Sequence, residues 1–282
     1  LPEPMLEAIT KLGFEECTPI QGRSLPFSLS DYDVTGQAQT GTGKTAAFLI
    51  TLLTRFWENP PQERPNLGTP RALVLAPTRE LAMQIEGDSK GLAKYMDMRT
   101  VCVVGGMDFD GQRAELAKGP VDVLVATPGR LIDFLERRDI NLSKVECLVI
   151  DEADRMLDVG FRPQIQRIAR ACGTKRQTAL YTATLTKGVR ELAQSILRDP
   201  VNIGLAEPDI IPETIQHNVV FCDSHEHKLE VLDLMLTKSN MRQALVFVTT
   251  QKAVEELIEH VTVQGHVAVP AHGGMTTAER SA

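Results

Sequence analysis

Between Gly36 and Phe48 the chain reads GQAQTGTGKTAAF, which sets Gly41, Gly43, Lys44 and Thr45 directly before an apolar run. Glycine at such a point lets backbone amides approach phosphate oxygens without interference from Cβ. A helix starting there adds partial positive charge. In that arrangement Lys44 would pair with the outer phosphates and the Thr45 hydroxyl would ligate magnesium. The generic phosphate-loop pattern opens with glycine, and here that position is Ala38. A second constellation, CLVIDEAD (Cys147–Asp154), ends an apolar run in paired carboxylates. Asp151 would serve the metal and Glu152 would orient an attacking water. Each has a plainer reading, a glycine turn with a surface lysine and an acidic strand end that caps the next helix. Together they point to nucleotide hydrolysis.

The elements that must position these residues are legible as alternation. Strands are expected at Val34–Ala38, Ala72–Ala76, Thr100–Val104, Val121–Ala126, Cys147–Asp151 and Thr178–Thr182. Amphipathic helices are expected between them, among them Thr45–Trp57, Arg79–Lys90 and Arg130–Arg137. Continuous Val/Leu/Ile strands alternating with helices predict an α/β fold with a parallel sheet covered on both faces. Such sheets bind ligands at the carboxyl ends of their strands. The proline-rich Glu58–Pro70 reads as a surface loop, and AEPDIIPET (Ala206–Thr214) as an interdomain linker. The division expected is a first domain over residues 1–205, a linker over 206–214 and the start of a second domain over 215–282. In the second, strands are expected at Ile215–Phe221, Ala244–Val248 and His266–Ala271, with helices near His225–Leu236 and from Lys252.

Bulk properties narrow the classes. At 282 residues two domains are the better expectation. No run approaches the roughly 18 apolar residues of a membrane span. The chain opens on Leu1 and is expected to begin inside a longer sequence. Its five cysteines lack CxxC spacing, which argues against a disulfide framework or zinc site and for a reducing, cytoplasmic compartment. Net charge is −7, but from Glu207 onward there are 11 acidic and 5 basic residues, and before it 26 and 25. Any nucleic-acid site must therefore be a local surface or be built from backbone amides. His225 and His227 stand two apart, a spacing that does not face one ligand on a helix, so they read as a solvated helix start.

The string DEADRMLDVGF (Asp151–Phe161) closely resembles DEAD-box RNA helicases, bacterial members in particular. Further motifs in the same order span the chain. The resemblance implies tandem RecA-like domains, ATP and Mg2+ as ligands, and RNA bound without sequence preference. GFEECTPIQ (Gly13–Gln21) resembles the adenine-reading segment, with Phe14 in it, Gln21 on the base edge and Thr18 supporting the loop. AQTGTGKT (Ala38–Thr45) matches the family's phosphate loop, alanine included, so Gln39, Thr40, Gly41, Thr42, Gly43, Lys44 and Thr45 would cradle ATP. PTRELA (Pro77, Thr78, Arg79 onward), Gly105–Gly106 and TPGR (Thr127, Pro128, Gly129, Arg130) match segments that hold the RNA backbone. TAT (Thr182–Thr184) stands where the family has SAT, coupling hydrolysis to strand separation through Thr182 and Thr184, with Asp154 in the interdomain coupling. VFVTT with Thr249, and HGGMTTAER with His272 and Gly273, resemble RNA-facing segments of the second domain. Taken singly, TPGR is also an ordinary proline turn, and PTRE a good helix start with Thr78 as its cap.

Three departures limit the carry-over. Thr182 replaces serine, keeping the hydroxyl. The family's adenine-stacking aromatic would precede Leu1. Its later motifs, arginines toward the γ-phosphate included, would follow Arg280, and such an arginine is worth ~10³–10⁵ in rate. These residues alone are therefore expected to bind nucleotide weakly and turn it over slowly. The readings carried forward are an ATP-dependent RNA helicase, an ATP-gated RNA clamp, and a phosphate-loop ATPase with another substrate.

Overall fold

The computed structural model describes residues 1–61, 66–204, 216, 218–238 and 243–275. Two compact units are present, Leu1–Pro208 and Asp209–Ala282. The interdomain segment expected at 206–214 lies outside the described residues.

In the first unit, α1 (Glu3–Lys11) and α2 (Pro19–Ser28) precede an alternating series. It runs β1 (Val34–Gln37), α3 (Lys44–Glu58), β2 (Ala72–Leu75), α4 (Arg79–Leu92), β3 (Thr100–Val103), α5 (Phe109–Ala117) and β4 (Val123–Ala126). It continues with α6 (Pro128–Glu136), β5 (Cys147–Ile150), α7 (Ala153–Asp158), α8 (Arg162–Ala171), β6 (Gln177–Thr182), α9 (Lys187–Ile196) and β7 (Val201–Gly204). The strands form one seven-stranded sheet in the order β3-β4-β2-β5-β6-β1-β7, and every pairing is parallel. This is the α/β architecture that the alternation predicts.

The two-residue period of a strand divides each between two cores. Leu73 and Leu75 of β2, Leu124 and Ala126 of β4, and Leu148 and Ile150 of β5 face one layer with α6, α7, α8 and α9. Ala72 and Val74, Val123 and Val125, and Cys147 and Val149 face the other, with α1, α2, α3 and α4. Because both faces are covered, the strands can be apolar at every position, which is why they read as continuous runs. Ladder bonds carry the chain slightly past the assigned ends, from Ala38 N to Thr182 O at 3.0 Å and from Asp151 N to Leu75 O at 3.0 Å. Strand termini are thus aligned along one carboxyl edge.

Gly68 occupies a turn that no other residue fits. Its φ is +69°, and a Cβ there would lie 2.2 Å from the carbonyl oxygen of Asp139.

The second unit corrects an expectation. It contains α10 (His225–Lys238) and α11 (Gln251–Val263) where helices are expected, but the described residues of its three expected strands form no strand. A parallel strand exists only through a ladder, and none of these segments has one among the described residues. Their apolar side chains accordingly stay in solvent, Phe221 at 88% exposure, Phe247 at 91% and Val267 at 100%.

Candidate active site

Six strands of the first unit deliver a sequence-predicted segment at their carboxyl ends. β1 leads into the phosphate loop, β5 into Asp151–Asp154 and β6 into Thr182–Thr184. β2 leads into Pro77–Arg79, β3 into Gly105–Gly106 and β4 into Thr127–Arg130. The sheet order sorts them into two adjoining groups, with β3, β4 and β2 on one side and β5, β6 and β1 on the other.

The phosphate loop turns through left-handed backbone at Gly41 (φ +83°) and Gly43 (φ +90°), and Gly43 caps α3. Nothing lies within 4 Å of a Cβ built at Gly41, so the space over the helix amino end is open. Thr42 Oγ1 donates to the carbonyl of Gln39 at 2.7 Å, tightening the loop from within. Lys44 is buried, and its Nζ donates to the carbonyl of Ala38 at 2.7 Å. A buried ammonium whose hydrogen bond among the described residues goes to a neutral carbonyl suits an incoming anion.

The Gly13–Gln21 segment braces this loop. Gln21 Nε2 donates to the Gly43 carbonyl at 3.1 Å, while its Oε1 accepts from Thr18 N at 2.9 Å. Thr18 Oγ1 and Gln21 Nε2 press so closely on Gly43 that a Cβ there would lie 2.9 and 2.5 Å from them. In this structure, then, Gln21 is spent on the loop rather than directed outward. Phe14 is half exposed and lines a cleft of about 320 Å³ together with Gly41, Lys44, Thr45, Asp151 and Glu152. Gln84, Gly87, Asp88 and Gly91 of α4 form its far wall, and burial raises the Asp88 carboxyl above its ordinary value. The sequence reading missed these residues, although their spacing, four positions on one helical stripe opposite the loop, was a signal for them.

Asp151 is buried, and desolvation pushes its pKa up to about 6, opposed by Lys44 and assisted by Glu152. A buried carboxylate beside a second acid is a site whose charge a divalent cation would balance. With the Thr45 hydroxyl in the same cleft, the donor set of oxygens fits magnesium. Glu152 sits in the left-handed region (φ 53°, ψ 53°), a strained conformation for a side-chain-bearing residue and one concentrated at functional sites. Its carboxylate spans two elements: Oε1 accepts from Thr40 Oγ1 at 3.4 Å, and Oε2 meets Arg155 Nη1 at 3.2 Å. Arg155 is a second contact that the sequence reading did not foresee.

Asp154 ties β5 to β6. Its Oδ2 accepts from both the amide and the hydroxyl of Thr184, each at 2.8 Å, and its Oδ1 accepts from Arg155 N at 3.0 Å. Burial opposes ionisation here, but hydrogen bonds from Thr184 and Arg155 outweigh it and hold the carboxyl below its ordinary value. Thr182 Oγ1 donates to the Thr184 carbonyl at 2.9 Å, closing the turn.

On the other half of the edge, Thr78 Oγ1 caps α4 by accepting from Leu81 N at 3.2 Å. Thr127 Oγ1 accepts from Gly105 N at 3.2 Å, so this hydroxyl joins two loops rather than capping α6, whose first residue is Pro128. Arg130 Nη2 donates to the Met107 carbonyl at 2.9 Å, with its guanidinium 5.5 Å from the Phe109 ring centroid. From the other side, Arg79 Nη1 would lie 3.2 Å from a Cβ on Gly106, whose φ is +76°. Arg130 therefore braces the Gly105–Met107 loop, and Arg79, ion-paired with Glu80 at 3.0 Å, lies close to it. In the second unit, Thr249 is exposed in the bend before α11, and Gly273 is exposed beside His272, whose Nδ1 accepts from Gly274 N at 3.2 Å.

Comparison with known proteins agrees with this arrangement. The family model described as DEAD/DEAH box helicase matches residues 18–192. The protein named ATP-dependent RNA helicase RhlB of Pseudomonas aeruginosa is 41% identical over 98% of this chain and 71% of its own length. DEAD-box ATP-dependent RNA helicase 30 of Arabidopsis thaliana is 38% identical over 99% of this chain and 47% of its own. Among solved structures, a hypothetical ATP-dependent RNA helicase from Sulfolobus tokodaii superposes with a TM-score of 0.65 at 31% identity, over 92% of this chain and 72% of that one. A match of this extent, laid over a sheet edge that carries the matching segments strand by strand, establishes that the chain belongs to the DEAD/DEAH box helicase family.

Proposed function

We propose that the chain is an ATP-dependent RNA helicase that grips RNA by its backbone and parts short duplexes or remodels RNA–protein complexes. One observation carries the reading. The phosphate loop and acidic pair occupy one half of the carboxyl edge, the RNA-type segments the other half, and Asp154 fastens the acidic strand to Thr184.

In this reading Gly41, Gly43 and Lys44 receive the phosphates of ATP, Lys44 exchanging the Ala38 carbonyl for phosphate oxygen. Thr45 and Asp151 would hold Mg2+, which would supply positive charge beside the phosphates. Glu152, fixed from two sides, positions the attacking water and accepts its proton. Phe14, Thr18 and Gln21 serve the nucleoside end by shaping the loop beneath it. Backbone amides at the starts of α4 and α6, with Pro77, Thr78, Thr127, Pro128 and Gly129, contact RNA phosphates and ribose. Arg130 sets the Gly105–Gly106 loop for the same strand, with Arg79 close to it. Such contacts ignore bases, and 2′-hydroxyls distinguish RNA from DNA. Thr249, His272 and Gly273 extend the RNA contacts on the second unit, and residues 215–282 form the beginning of a second RecA-like domain. Thr182, Thr184 and Asp154 relay the state of the nucleotide. The cysteines are free thiols, burial pushes Cys102, Cys147 and Cys172 up to about 12, which keeps them un-ionised, and a reducing cytoplasm is the compartment read from their spacing. Among the described residues no helix is long and apolar enough to cross a membrane.

The test is multiple-turnover displacement of a short RNA duplex, with Glu152→Gln as control. The reading expects ATP-dependent displacement that the variant loses while still binding RNA. ATP-dependent retention of RNA with no displacement by either protein would replace the helicase by a clamp.

A further inference from the structure

The chain has 37 acidic and 30 basic residues, yet from Arg162 to Arg198 it carries eight basic residues and a single acidic one, Glu191. This stretch comprises α8, the turn into β6, β6 itself and α9. α8 commits Ile165, Ile168 and Ala169 to the core, and α9 commits Val189, Leu192, Ala193 and Ile196, so the charged positions face outward.

Two of the eight cations are neutralised. Arg162 meets Glu191 at 2.9 Å, and Arg167 meets Glu136 of α6 at 2.7 Å. The other six, Arg170, Lys175, Arg176, Lys187, Arg190 and Arg198, have no carboxylate within ion-pair distance among the described residues. Among the described residues Arg176 donates to the carbonyls of Gly173 and Ile196, Arg190 to that of Leu185 and Arg198 to that of Arg176. A carbonyl holds a guanidinium in place but leaves its charge uncompensated. The result is a fixed cationic face on a protein whose net charge is −7.

We propose that the basic surface carried by the end of α8, the turn into β6 and the chain just past α9 (Arg170, Lys175, Arg176 and Arg198) is a second, sequence-independent RNA-backbone site, distinct from the carboxyl edge. It rests on the RNA reading above. Continuity favours RNA as the occupant. α6 begins at the edge with Thr127–Arg130 and packs against α8, and α8 packs against α9, so a strand leaving the edge meets this face next. Four of the six uncompensated cations are arginine, whose planar fork matches phosphate. The face runs away from the edge, because α8 ends where the chain turns back into β6. It therefore engages only RNA long enough to extend beyond the edge.

The test uses labelled single-stranded RNA of about 8 and about 30 nucleotides, titrated at several salt concentrations. The variant is Arg170→Gln with Lys175→Gln, two exposed side chains without hydrogen-bond partners among the described residues, so folding is not at stake. The expected result is about tenfold weaker binding of the long strand near 0.1 M salt, with a log–log salt slope shallower by about 1. Binding of the short strand stays unchanged. Unchanged affinity for the long strand, with the short one still bound, would overturn this proposal alone and leave an acidic protein segment as the occupant to test. Equal losses at both lengths would also overturn it, since the site would not be separate. Failure of the unsubstituted chain to bind either strand would overturn the RNA reading and this proposal with it.

Discussion

Replacing Asp154 by alanine removes the acceptor of three hydrogen bonds, two from Thr184 at 2.8 Å and one from Arg155 N at 3.0 Å. Hydrogen bonds to a charged group contribute about 1.5–3 kcal/mol each where water is excluded. Asp154 is only half-buried and Thr184 is exposed, so solvent screening roughly halves the total. The expected loss for Asp154→Ala is about 2–4 kcal/mol, and for Thr184→Ala, which deletes one hydroxyl, about 1 kcal/mol. Because the hydroxyl has no other hydrogen-bond partner among the described residues, the double variant should fall short of the sum by about 1 kcal/mol. Urea unfolding followed through Trp57 reads this directly, since it is the chain's single tryptophan and lies on α3 of the same unit. The pH dependence has a definite sign. The folded carboxyl is held below its ordinary value of 3.8, so its contribution is present above that value and disappears as pH falls through the folded one. Additivity of the two substitutions within about 0.3 kcal/mol would refute the coupling of β5 to β6 through this carboxylate.

Other substitutions probe separate parts of the edge. Gly43→Ala forces a Cβ to within 2.5 Å of Gln21 Nε2 at φ +90°, so nucleotide affinity measured with a fluorescent ATP analogue should drop at least about tenfold while RNA binding persists. Gly106→Ala does the reverse: a strained φ of +76° and a contact 3.2 Å from Arg79 Nη1 should weaken RNA binding about fivefold in an anisotropy titration, leaving ATP affinity intact. Gly68→Ala touches neither ligand region, but its Cβ would sit 2.2 Å from the Asp139 carbonyl, so urea unfolding should show a loss of about 2–4 kcal/mol.

β2, β4 and β5 were legible because burial on both faces writes them as unbroken apolar runs, whereas β1 (Val34–Gln37), β3 and β6 carry polar residues and were legible from their place in the alternation. β7 was not, since Val201–Gly204 is an edge strand with one of its four residues buried and no such run to mark it. The helices of the second unit were equally legible from periodicity, but among the described residues its expected strands are not formed, because an apolar run specifies a strand only when a neighbour supplies the ladder. Within the site, residue types foretold the chemistry of Lys44, Thr45, Asp151 and Glu152. Their supports were less visible. Arg155 reaches Glu152 from one turn along α7, and Gln84 and Asp88 wall the cleft from a helix distant in sequence. Spacing shows that such residues share a helix face, not which cleft that face closes. The bond from Arg130 to the Met107 carbonyl escaped for the same reason, as a basic residue in an RNA-type motif reads first as a phosphate contact.

The central claim is that one sheet edge binds nucleotide and RNA and makes each felt by the other. Its most direct test is phosphate release from ATP with and without single-stranded RNA, for the chain and for Lys44→Ala. The decision lies in the dependence of the rate on RNA and on Lys44. The account predicts hydrolysis that RNA stimulates and that Lys44→Ala abolishes. Hydrolysis indifferent to RNA, or surviving the loss of Lys44, would contradict it.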